Sequence, residues 1–336
     1  MKKYFITGGC GFIGSNFIRY IFHHDDSAII INLDKLTYAG NLKNLTDFQN
    51  DERYIFYHGD ICNSKIVKEI FQQYKPDNLI NFAAESHVDR SIGKPDDFIQ
   101  TDIFGAFTLL ETAREFGIER FIQISTDEVY GSIEKGSFSE TDTLMPRNPY
   151  SASKAGADRL AYSYFTTYKL PVIITRASNN FGPYQFPEKL IPLFVTNAIE
   201  DKKLPVYGDG KNIRDWLYVE DHCSAIQYII DYGKIGEIYN IGGGNELTNI
   251  AITNIILKET NKSETLKKFV QDRLGHDRRY SLNCEKLANI GWTPKHDFQN
   301  AMKFTVGWYK QNHKWWKPLK SGEYLEYYKK HYEELQ

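Results

Sequence analysis

The sequence predicts an α/β protein with a doubly wound parallel sheet of the Rossmann type and a smaller, mixed α/β C-terminal domain for the substrate. Three observations predict this fold. Short apolar segments alternate with helix-length segments through the first half of the 336 residues, as in consecutive βαβ units. A glycine-rich turn separates the first expected strand from the first expected helix. After Arg176, prolines and glycines become frequent, which predicts shorter helices and strands and more loops than in the first half.

The individual strands follow from runs of β-branched, aromatic and aliphatic residues. Residues 28–31 are apolar without alternation, which is typical of a strand buried on both faces of a parallel sheet. Residues 12–22 instead carry apolar side chains at helical spacing, which predicts the first helix. The predicted strands are 3–7, 28–33, 53–57, 79–82, 121–125 and 172–175.

We expect two domains, because a typical domain has about 150 residues. The first comprises residues 1–178 together with about 216–240, where a strand-and-helix pattern returns. The second comprises 179–215 and 241–336.

Composition and charge exclude several classes of protein. Hydrophobic residues make up 41% of the chain, charged residues 25%, and the formal net charge is -2. These values predict a globular protein without the field that would gather nucleic acid or an anionic membrane. The apolar runs are far shorter than the ~20 residues of a membrane span, and we find no secretion signal. The cysteines lack metal-ligand spacing, so we expect reduced thiols, no metal site and a cytoplasmic location. They are Cys10, Cys62, Cys223 and Cys284.

The glycine-rich turn predicts a dinucleotide site. Gly9, Gly11 and Gly14 match G-x-G-x-x-G, and Gly8, Gly11 and Gly14 match a wider spacing. Glycines at such positions allow a tight turn and the close approach of a pyrophosphate to a helix N-terminus. The motif alone is weak evidence, but its place between a strand and a helix makes it specific.

Acidic residues at the ends of the next strands indicate which dinucleotide binds. Asp34 ends the second strand twenty residues after Gly14, where a carboxylate can bond the adenosine ribose. That carboxylate repels a 2′-phosphate, so NAD is favoured over NADP, although Lys35 beside it tempers the preference. Asp60 follows the third strand; contact with adenine and a plain strand cap are both open for it.

Tyr150 and Lys154 are spaced to face the same side of one helical turn. A nearby ammonium stabilises a phenolate, so we expect the pKa of Tyr150 to fall from ~10 toward the working pH. By spacing alone a solvated surface pair would be the stronger interpretation. The second Tyr-x-x-x-Lys, at Tyr207 and Lys211, spans two glycines and is discounted.

The segment after the fifth strand changes that interpretation. Thr126, Asp127 and Glu128 stand at the carboxyl end of this strand, where open α/β sheets bind their ligands, and Thr126 precedes Tyr150 by 24 residues. On this layout the sequence resembles the extended short-chain dehydrogenase/reductase family, whose triad is Ser/Thr, Tyr and Lys. Adjacent strand residues point to opposite faces, so Asp127 and Glu128 can both reach a substrate only if the strand has ended at Thr126.

Longer motifs resemble one branch of that family, the dTDP-glucose 4,6-dehydratases, over nearly the whole chain. The Asp127–Glu128 pair discriminates, because the related epimerases usually carry small residues there. The matching segments are AAESHVDRS at 83–91, STDEVYG at 125–131, PEKLIP at 187–192, GDGxxxRDW at 208–216 and DRLGHDRRY at 272–280.

The resemblance implies a mechanism with a tightly bound NAD that is regenerated at each turnover. Tyr150, poised by Lys154 and helped by Thr126, takes the proton of the hexose 4-hydroxyl while hydride leaves carbon 4. Glu128 then removes the carbon-5 proton and Asp127 protonates the departing 6-hydroxyl. Hydride returns to carbon 6 and a proton to carbon 5. The product, dTDP-4-keto-6-deoxyglucose, commonly feeds deoxysugar pathways of the dTDP-rhamnose type.

The resemblance also implies the remaining contacts and a homodimer formed through a pair of N-terminal-domain helices. The implied cofactor contacts are Gly8, Gly11, Phe12, Ile13, Gly14, Asp34, Lys35, Thr37, Asp60, Ile61, Ala83, Ala84, Thr101, Tyr150, Lys154 and Asn180. The implied substrate contacts are Ser86, Thr126, Asp127, Glu128, Asn179, Lys189, Leu190, Pro205, Tyr207, Arg214, Asn249, Arg273, His276 and Tyr280. Lys189, Arg214 and Arg273 suit a diphosphate, since arginine can bind it through two hydrogen bonds.

Two residues depart from the pattern of the family, and two alternative functions stay open. Asp102 stands where the family usually has asparagine, and Leu274 where it usually has proline. The first alternative is another NAD-dependent sugar-nucleotide enzyme, an epimerase or a decarboxylase. The second is a non-enzymatic NAD sensor, which we would expect to have lost Tyr150 or Lys154.

Overall fold

The computed structural model describes residues 1–272, 275–322 and Tyr328. Within these residues the strands are β1 Lys3–Thr7, β2 Ile29–Asp34, β3 Tyr54–His58, β4 Asn78–Asn81, β5 Arg120–Thr126, β6 Val172–Ala177, β7 Asn179–Phe181, β8 Leu204–Tyr207, β9 Ile213–Tyr218, β10 Ile238–Ile241, β11 Glu246–Thr248 and β12 Lys267–Val270. The helices are α1 Phe12–His24, α2 Ser64–Tyr74, α3 Val88–Gly93, α4 Pro95–Phe98, α5 Ala106–Phe116, α6 Pro149–Tyr168, α7 Leu190–Ile199, α8 Val219–Tyr232, α9 Asn249–Thr260, α10 Glu285–Asn289, α11 Phe298–Gln311 and α12 His313–Trp316.

The main sheet of the described chain has seven parallel strands in the order β10-β6-β5-β4-β1-β2-β3. The order reverses between β1 and β4, which is the switch point at which such sheets bind ligands. This topology confirms the predicted doubly wound sheet. The observed strands begin and end within two residues of their predicted bounds.

Apolar side chains cover both faces of this sheet, as the unbroken apolar strands require. Neighbouring residues of β1 illustrate this: Phe5 packs in one buried cluster and Ile6 in the other. The pattern repeats on β5 with Phe121 and Ile122. The central strands are therefore fixed from both sides, and their carboxyl ends form a rigid floor for a site.

Three irregular segments shape the edge above that floor. The chain between β2 and β3 forms a 3-10 helix at Leu42–Phe48 instead of the α-helix of a regular βαβ unit. A π-helix at Ile99–Gly105 precedes α5, and such widened turns are frequent at functional sites. β5 ends at Thr126, and Asp127–Tyr130 form a 3-10 turn.

The second part of the chain adds two small sheets, ordered β11-β9-β7 and β12-β8. Residues of α7, α9 and α11 pack together beside them. α8 packs against α1, and β10 completes the main sheet beside β6, so the chain crosses back after β9. The division into two domains at the residues given above remains a prediction.

No helix in the described ranges is long and apolar enough to cross a membrane.

Candidate active site

A cavity of about 290 Å³ opens at the carboxyl ends of the main-sheet strands. Its lining combines the turn before α1, the ends of β2, β3, β4 and β5, and the first turns of α6. It includes all the residues predicted to contact the cofactor. These are Gly8, Gly11, Phe12, Ile13, Gly14, Asp34, Lys35, Thr37, Asp60, Ile61, Ala83, Ala84, Thr101, Tyr150, Lys154 and Asn180.

The glycine-rich turn has the shape that a dinucleotide needs. Gly8 has φ +69°, and a Cβ there would lie 2.6 Å from the backbone nitrogen of Ala83. A Cβ on Gly14 would collide with the backbone of Gly8 and lie 2.8 Å from Cα of Gly9. Of the two spacings considered, Gly8, Gly11 and Gly14 line the cavity, whereas Gly9 bonds Asn32 behind it. These residues therefore fit a pyrophosphate at the N-terminus of α1.

Asp34 is held in place by the backbone. Its Oδ2 accepts from the Cys10 N–H at 2.8 Å and its Oδ1 from the Leu36 N–H at 2.8 Å. The carboxylate therefore ties the glycine-rich turn to the end of β2 while it lines the cavity. Burial raises its pKa, and the two backbone hydrogen bonds oppose that shift.

Asp60 acts in a turn and in an ion pair. Its Oδ1 accepts from the Cys62 N–H at 2.8 Å, and its Oδ2 lies 2.7 Å from Nζ of Lys35. The charge of Lys35 is thus partly neutralised by Asp60. The preference for NAD over NADP that Asp34 predicts is therefore less affected by Lys35 than its sequence position suggests.

The five residues predicted to carry the chemistry all line this cavity: Thr126, Asp127, Glu128, Tyr150 and Lys154. The strand β5 ends at Thr126, so the 3-10 turn directs two consecutive carboxyl groups to the same space. Because the strand ends at Thr126, Asp127 and Glu128 can both reach a substrate, as the sequence analysis required.

A strong N-cap orients the tyrosine on α6. The helix begins at Pro149, and Asn148 caps it: the Asn148 side chain accepts from the Ser151 N–H at 2.8 Å. This capping box fixes the first turn, which carries Tyr150 at its second position. The side chain of Asn148 also reaches Glu128, where its Nδ2 donates to Oε2 at 3.4 Å.

Asp127 is buried and holds its proton. Burial, and then the charge of Glu128, raise its pKa to about 8. Oγ1 of Thr126 lies within hydrogen-bond distance of Asp127 Oδ1, at 3.0 Å. Oδ2 of Asp127 finds no partner among the described residues. Asp127 is therefore a protonated acid at neutral pH with one oxygen available to a ligand.

The pKa of Tyr150 departs from the sequence prediction. Burial is the main cause that raises it well above 10, the charges of Glu128 and Asp102 add to this, and a hydrogen bond with Thr126 opposes it. The expected lowering by Lys154 is therefore wrong for this structure. Burial also lowers the pKa of Lys154, whose Nζ donates to the carbonyl of Ile124 at 2.7 Å.

A second cavity, of about 170 Å³, adjoins the first. Glu128, Asn179 and Lys189 are among the residues that line both. The residues predicted to contact the substrate that line the second cavity are Glu128, Asn179, Lys189, Leu190, Pro205, Tyr207, Arg214, Asn249 and His276. Oδ1 of Asn179 and Oδ1 of Asn249 are buried without a described hydrogen-bond partner, which suits a polar ligand.

Other predicted substrate contacts lie elsewhere. Ser86, Thr126 and Asp127 line the first cavity. Among the predicted residues that the structure describes, Tyr280 lines neither cavity; it is buried behind Glu128. Arg273 falls outside the described residues, as does Leu274, one of the two departures.

Sequence reasoning missed three ionisable groups in the first cavity. Burial and the charge of Asp102 raise the pKa of Glu85 to about 7. Burial lowers the pKa of His222 to about 3, and its Nδ1 pairs with Oδ1 of Asn180 at 2.9 Å. Glu188 accepts from the Tyr38 hydroxyl at 2.8 Å and lines both cavities. Glu85 and Glu188 lie inside the quoted motifs, whereas nothing in the sequence singled out His222.

A family model described as GDP-mannose 4,6 dehydratase matches residues 5–305. A dTDP-glucose 4,6-dehydratase of Neisseria meningitidis is 47% identical to this chain, covering 96% of it and 98% of the relative.

Solved structures of dTDP-glucose 4,6-dehydratases are similar to this chain to the same degree. The dTDP-glucose 4,6-dehydratase DesIV of Streptomyces venezuelae, solved with NAD and TYD bound, matches with a TM-score of 0.92 and 47% identity. The match covers 95% of this chain and 100% of DesIV. A UDP-glucose 4-epimerase of Thermotoga maritima has a TM-score of 0.86 at 26% identity, covering 93% and 99%. The fold is therefore shared with epimerases, but the sequence is much closer to the dehydratases.

Proposed function

The chain belongs to the family of the GDP-mannose 4,6 dehydratase model, and from this premise we propose that it converts dTDP-glucose to dTDP-4-keto-6-deoxyglucose and water. The observation that carries this proposal is the pair Asp127 and Glu128, which line one cavity with Asp127 buried and Glu128 partly exposed. An elimination needs an acid and a base at once, and such a pair can supply both.

We assign the first cavity to NAD. The glycine-rich turn would hold the pyrophosphate. Asp34 would accept hydrogen bonds from the adenosine ribose hydroxyls, because its two hydrogen bonds from the backbone leave other lone pairs of the carboxylate available. When bound, NAD supplies the acceptor that takes hydride from carbon 4 and later returns it to carbon 6. Asp34 disfavours a 2′-phosphate, which supports NAD over NADP.

The 4-hydroxyl proton goes to Tyr150. Because burial keeps the phenol protonated, its pKa has to fall before it acts as a base. The hydrogen bond from the Thr126 hydroxyl favours the phenolate. We assign the same role to the Lys154 ammonium, which lines the same cavity and whose positive charge attracts a phenolate. Loss of this proton from oxygen, together with loss of a hydride from carbon 4 to the cofactor, would leave a ketone at carbon 4.

The ketone acidifies carbon 5, and the two carboxyl groups divide the elimination. Glu128 accepts the carbon-5 proton, the C–H electron pair forms the double bond to carbon 6, and Asp127 gives its proton to the departing 6-hydroxyl, which leaves as water. The pKa of about 8 for Asp127 supports the assignment of the acid, since this group is protonated at neutral pH.

The second cavity suits the nucleotide diphosphate. Lys189 and Arg214 line it and provide positive charge, and Asn179 and Asn249 offer buried polar atoms to the base or the sugar. A guanidinium can bind a diphosphate through two parallel hydrogen bonds. Arg273 is proposed as a further ligand on the resemblance alone.

A dimer is the assembly we propose. Large apolar side chains are exposed along the π-helix and α5: Ile99 is 56% exposed, Phe104 46%, Phe107 40% and Phe116 37%. These helices lie beside α6 in the first part of the chain. A second copy packed on this face would remove the patch from water. Sedimentation velocity should give a dimer, and Phe107→Glu should shift it to monomer.

We place the reaction in the cytoplasm. The four cysteines are unpaired, which is typical of a reducing compartment. A 4-keto-6-deoxy sugar nucleotide is the kind of compound that epimerases, reductases and aminotransferases consume, so deoxysugar synthesis is the process we propose for it.

Product analysis tests the proposed reaction. The purified protein is incubated separately with dTDP-glucose and UDP-glucose, and products are identified by NMR and mass spectrometry. We expect dTDP-glucose to lose one water and gain a 4-ketone and a methyl group at carbon 6. A carbon-4 epimer or a decarboxylated product would instead establish an alternative enzyme of the family. Bound NAD with no reaction of any sugar nucleotide would support the sensor.

A further inference from the structure

Tyr280 and Asp277 form a buried pair directly behind the carboxyl group of Glu128. Both residues are 1% exposed. The Tyr280 hydroxyl lies 2.7 Å from Oδ2 of Asp277 and 3.4 Å from Oε2 of Glu128. The other oxygen of Asp277, Oδ1, accepts from Nη1 of Arg147 at 2.9 Å. One phenol therefore stands between two carboxyl groups.

A phenol has a single proton to share between these two partners. The shorter distance places that proton on the bond to Asp277, whose other carboxyl oxygen is paired with the guanidinium of Arg147. The lone pairs of Tyr280 are then available to a donor on Glu128. A rotation of the hydroxyl reverses the bond, so that Tyr280 donates to an ionised Glu128.

We propose that Tyr280, held by Asp277, is a positioning residue that supports Glu128 in both its ionised and its protonated state during the reaction. The inference rests on the proposed dehydration, in which Glu128 takes the proton from carbon 5 and a proton returns to carbon 5 at the end; we assign that return to Glu128 as well. A base that keeps its geometry through both states keeps its distance to carbon 5.

As the carbon-5 proton moves to Glu128 and back, the hydrogen bonds of Tyr280 change direction while its covalent bonds stay intact. Before elimination, Glu128 is a carboxylate that accepts from Nδ2 of Asn148 and, once the hydroxyl has turned from Asp277 toward it, from Tyr280. After the C–H bond breaks, the proton is on Glu128, which donates to Tyr280, and Tyr280 donates to Asp277. When carbon 5 is reprotonated, the arrangement returns to the first state.

The same pair is connected to the nucleotide cavity through Arg214. Its guanidinium lies over the Tyr280 ring at 4.2 Å, and its Nη2 donates to the carbonyl of Asp277 at 2.9 Å. Arg214 also lines the second cavity. Burial and the charge of Glu128 raise the pKa of Tyr280 well above 10, so it stays protonated as this role requires.

Tyr280→Phe removes the hydroxyl and keeps the ring under Arg214. We expect oxidation at carbon 4 to proceed and elimination to slow by about 10- to 100-fold, the value of a hydrogen bond to a charged group. Reduced cofactor should then accumulate, seen as absorbance at 340 nm after rapid mixing with dTDP-glucose. The isotope effect on kcat with substrate deuterated at carbon 5 should rise above that of the unchanged protein. Asp277→Asn should act in the same direction with a smaller loss, because the amide draws the phenol proton less strongly.

Tyr164→Phe is the matched control. Its hydroxyl is also part of a buried tyrosine and donates to a carboxylate, Glu111, at 2.6 Å, but it lies outside both cavities. We expect wild-type kinetics from it. Melting temperatures of all variants show that each is folded.

The outcomes separate the inference from the proposed function. Accumulation of reduced cofactor in Tyr280→Phe alone supports the inference. A variant with the rates and isotope effect of the unchanged protein overturns it, as does an equal loss of oxidation and elimination, which would make Tyr280 a structural or substrate-binding residue. If the unchanged protein neither reduces its cofactor nor reacts with dTDP-glucose, the proposed function fails instead.

Discussion

In the proposed mechanism Asp127 supplies the proton that the departing 6-hydroxyl needs, so the rate of dehydration should depend on the pKa of Asp127. With a pKa of about 8, Asp127 is protonated in roughly nine tenths of molecules at pH 7, in half at pH 8 and in about a tenth at pH 9. At the ordinary aspartate pKa of 3.8, fewer than about one molecule in a thousand would carry the proton at pH 7. Because the 6-hydroxyl needs this proton to leave, kcat should fall tenfold per pH unit well above pH 8.

Asp127→Asn tests the same claim by substitution. The amide fits the space and can still bond Thr126, but it cannot protonate a leaving hydroxyl. We expect kcat to fall by about 10²–10⁴-fold, with the fall above pH 8 abolished and carbon-4 oxidation retained. Steady-state rates between pH 6 and 9.5 and rapid-mixing absorbance at 340 nm measure both quantities. Glu128→Gln is the comparison, since it should also stop after oxidation but through loss of the base.

Two results would refute this reasoning. A kcat for the unchanged protein that stays level from pH 7 to pH 9.5 means that Asp127 is not the titrating acid. An Asp127→Asn variant within a few-fold of normal activity means that the proton comes from elsewhere.

Three further substitutions test the glycine-rich turn, the role of Asp102 and the buried ion pair between Asp158 and Arg176. Gly14→Ala places a methyl group against the turn and should sharply reduce the NAD that co-purifies, measured by absorbance after denaturation. Asp102→Asn removes a charge that raises the pKa of Tyr150, so the pH dependence of carbon-4 oxidation should move to lower pH. Asp158→Ala leaves the buried Arg176 without its ion-pair partner and should cost about 3–5 kcal/mol in urea unfolding.

These experiments have simple controls. Gly93→Ala adds the same methyl group where no other atom lies within 4 Å, so its NAD content should be unchanged. Asp102→Asn can keep its oxygen for the Glu85 N–H, from which Asp102 Oδ1 accepts at 3.0 Å, and its amide can donate to the Ser153 hydroxyl, so its melting temperature should stay close to normal. An unshifted profile for Asp102→Asn would show that Asp102 does not influence the tyrosine.

The sequence was informative where one local signal dominates. Unbroken apolar runs predicted the main-sheet strands closely, because a strand buried on both faces tolerates little else. The glycine spacing located the turn that lines the first cavity, since the backbone at Gly8 and Gly14 leaves no room for a Cβ. The consecutive acids at 127 and 128 were recognisable as a unit because both follow directly on a strand.

The remaining features depend on contacts between distant parts of the chain. The pKa of Tyr150 was predicted in the wrong direction, because spacing reveals Lys154 but not the burial or the charges of Asp102 and Glu128. The sequence motif predicted that Tyr280 contacts the substrate. In the structure its hydroxyl contacts Glu128, a residue 152 positions earlier in the chain. The 3-10 helix at Leu42–Phe48 carries no strong periodic signal that would distinguish it from an α-helix.

The carbon-5 proton tests the central claim most directly. Unlabelled dTDP-glucose is converted in deuterated water, and the product is examined by NMR. The account predicts dTDP-4-keto-6-deoxyglucose with deuterium at carbon 5, because Glu128 removes that proton and the position is later refilled by a proton that has exchanged with solvent. A 4-keto-6-deoxy product that retains its original hydrogen at carbon 5 throughout, or a product with carbon 6 still hydroxylated, would contradict it.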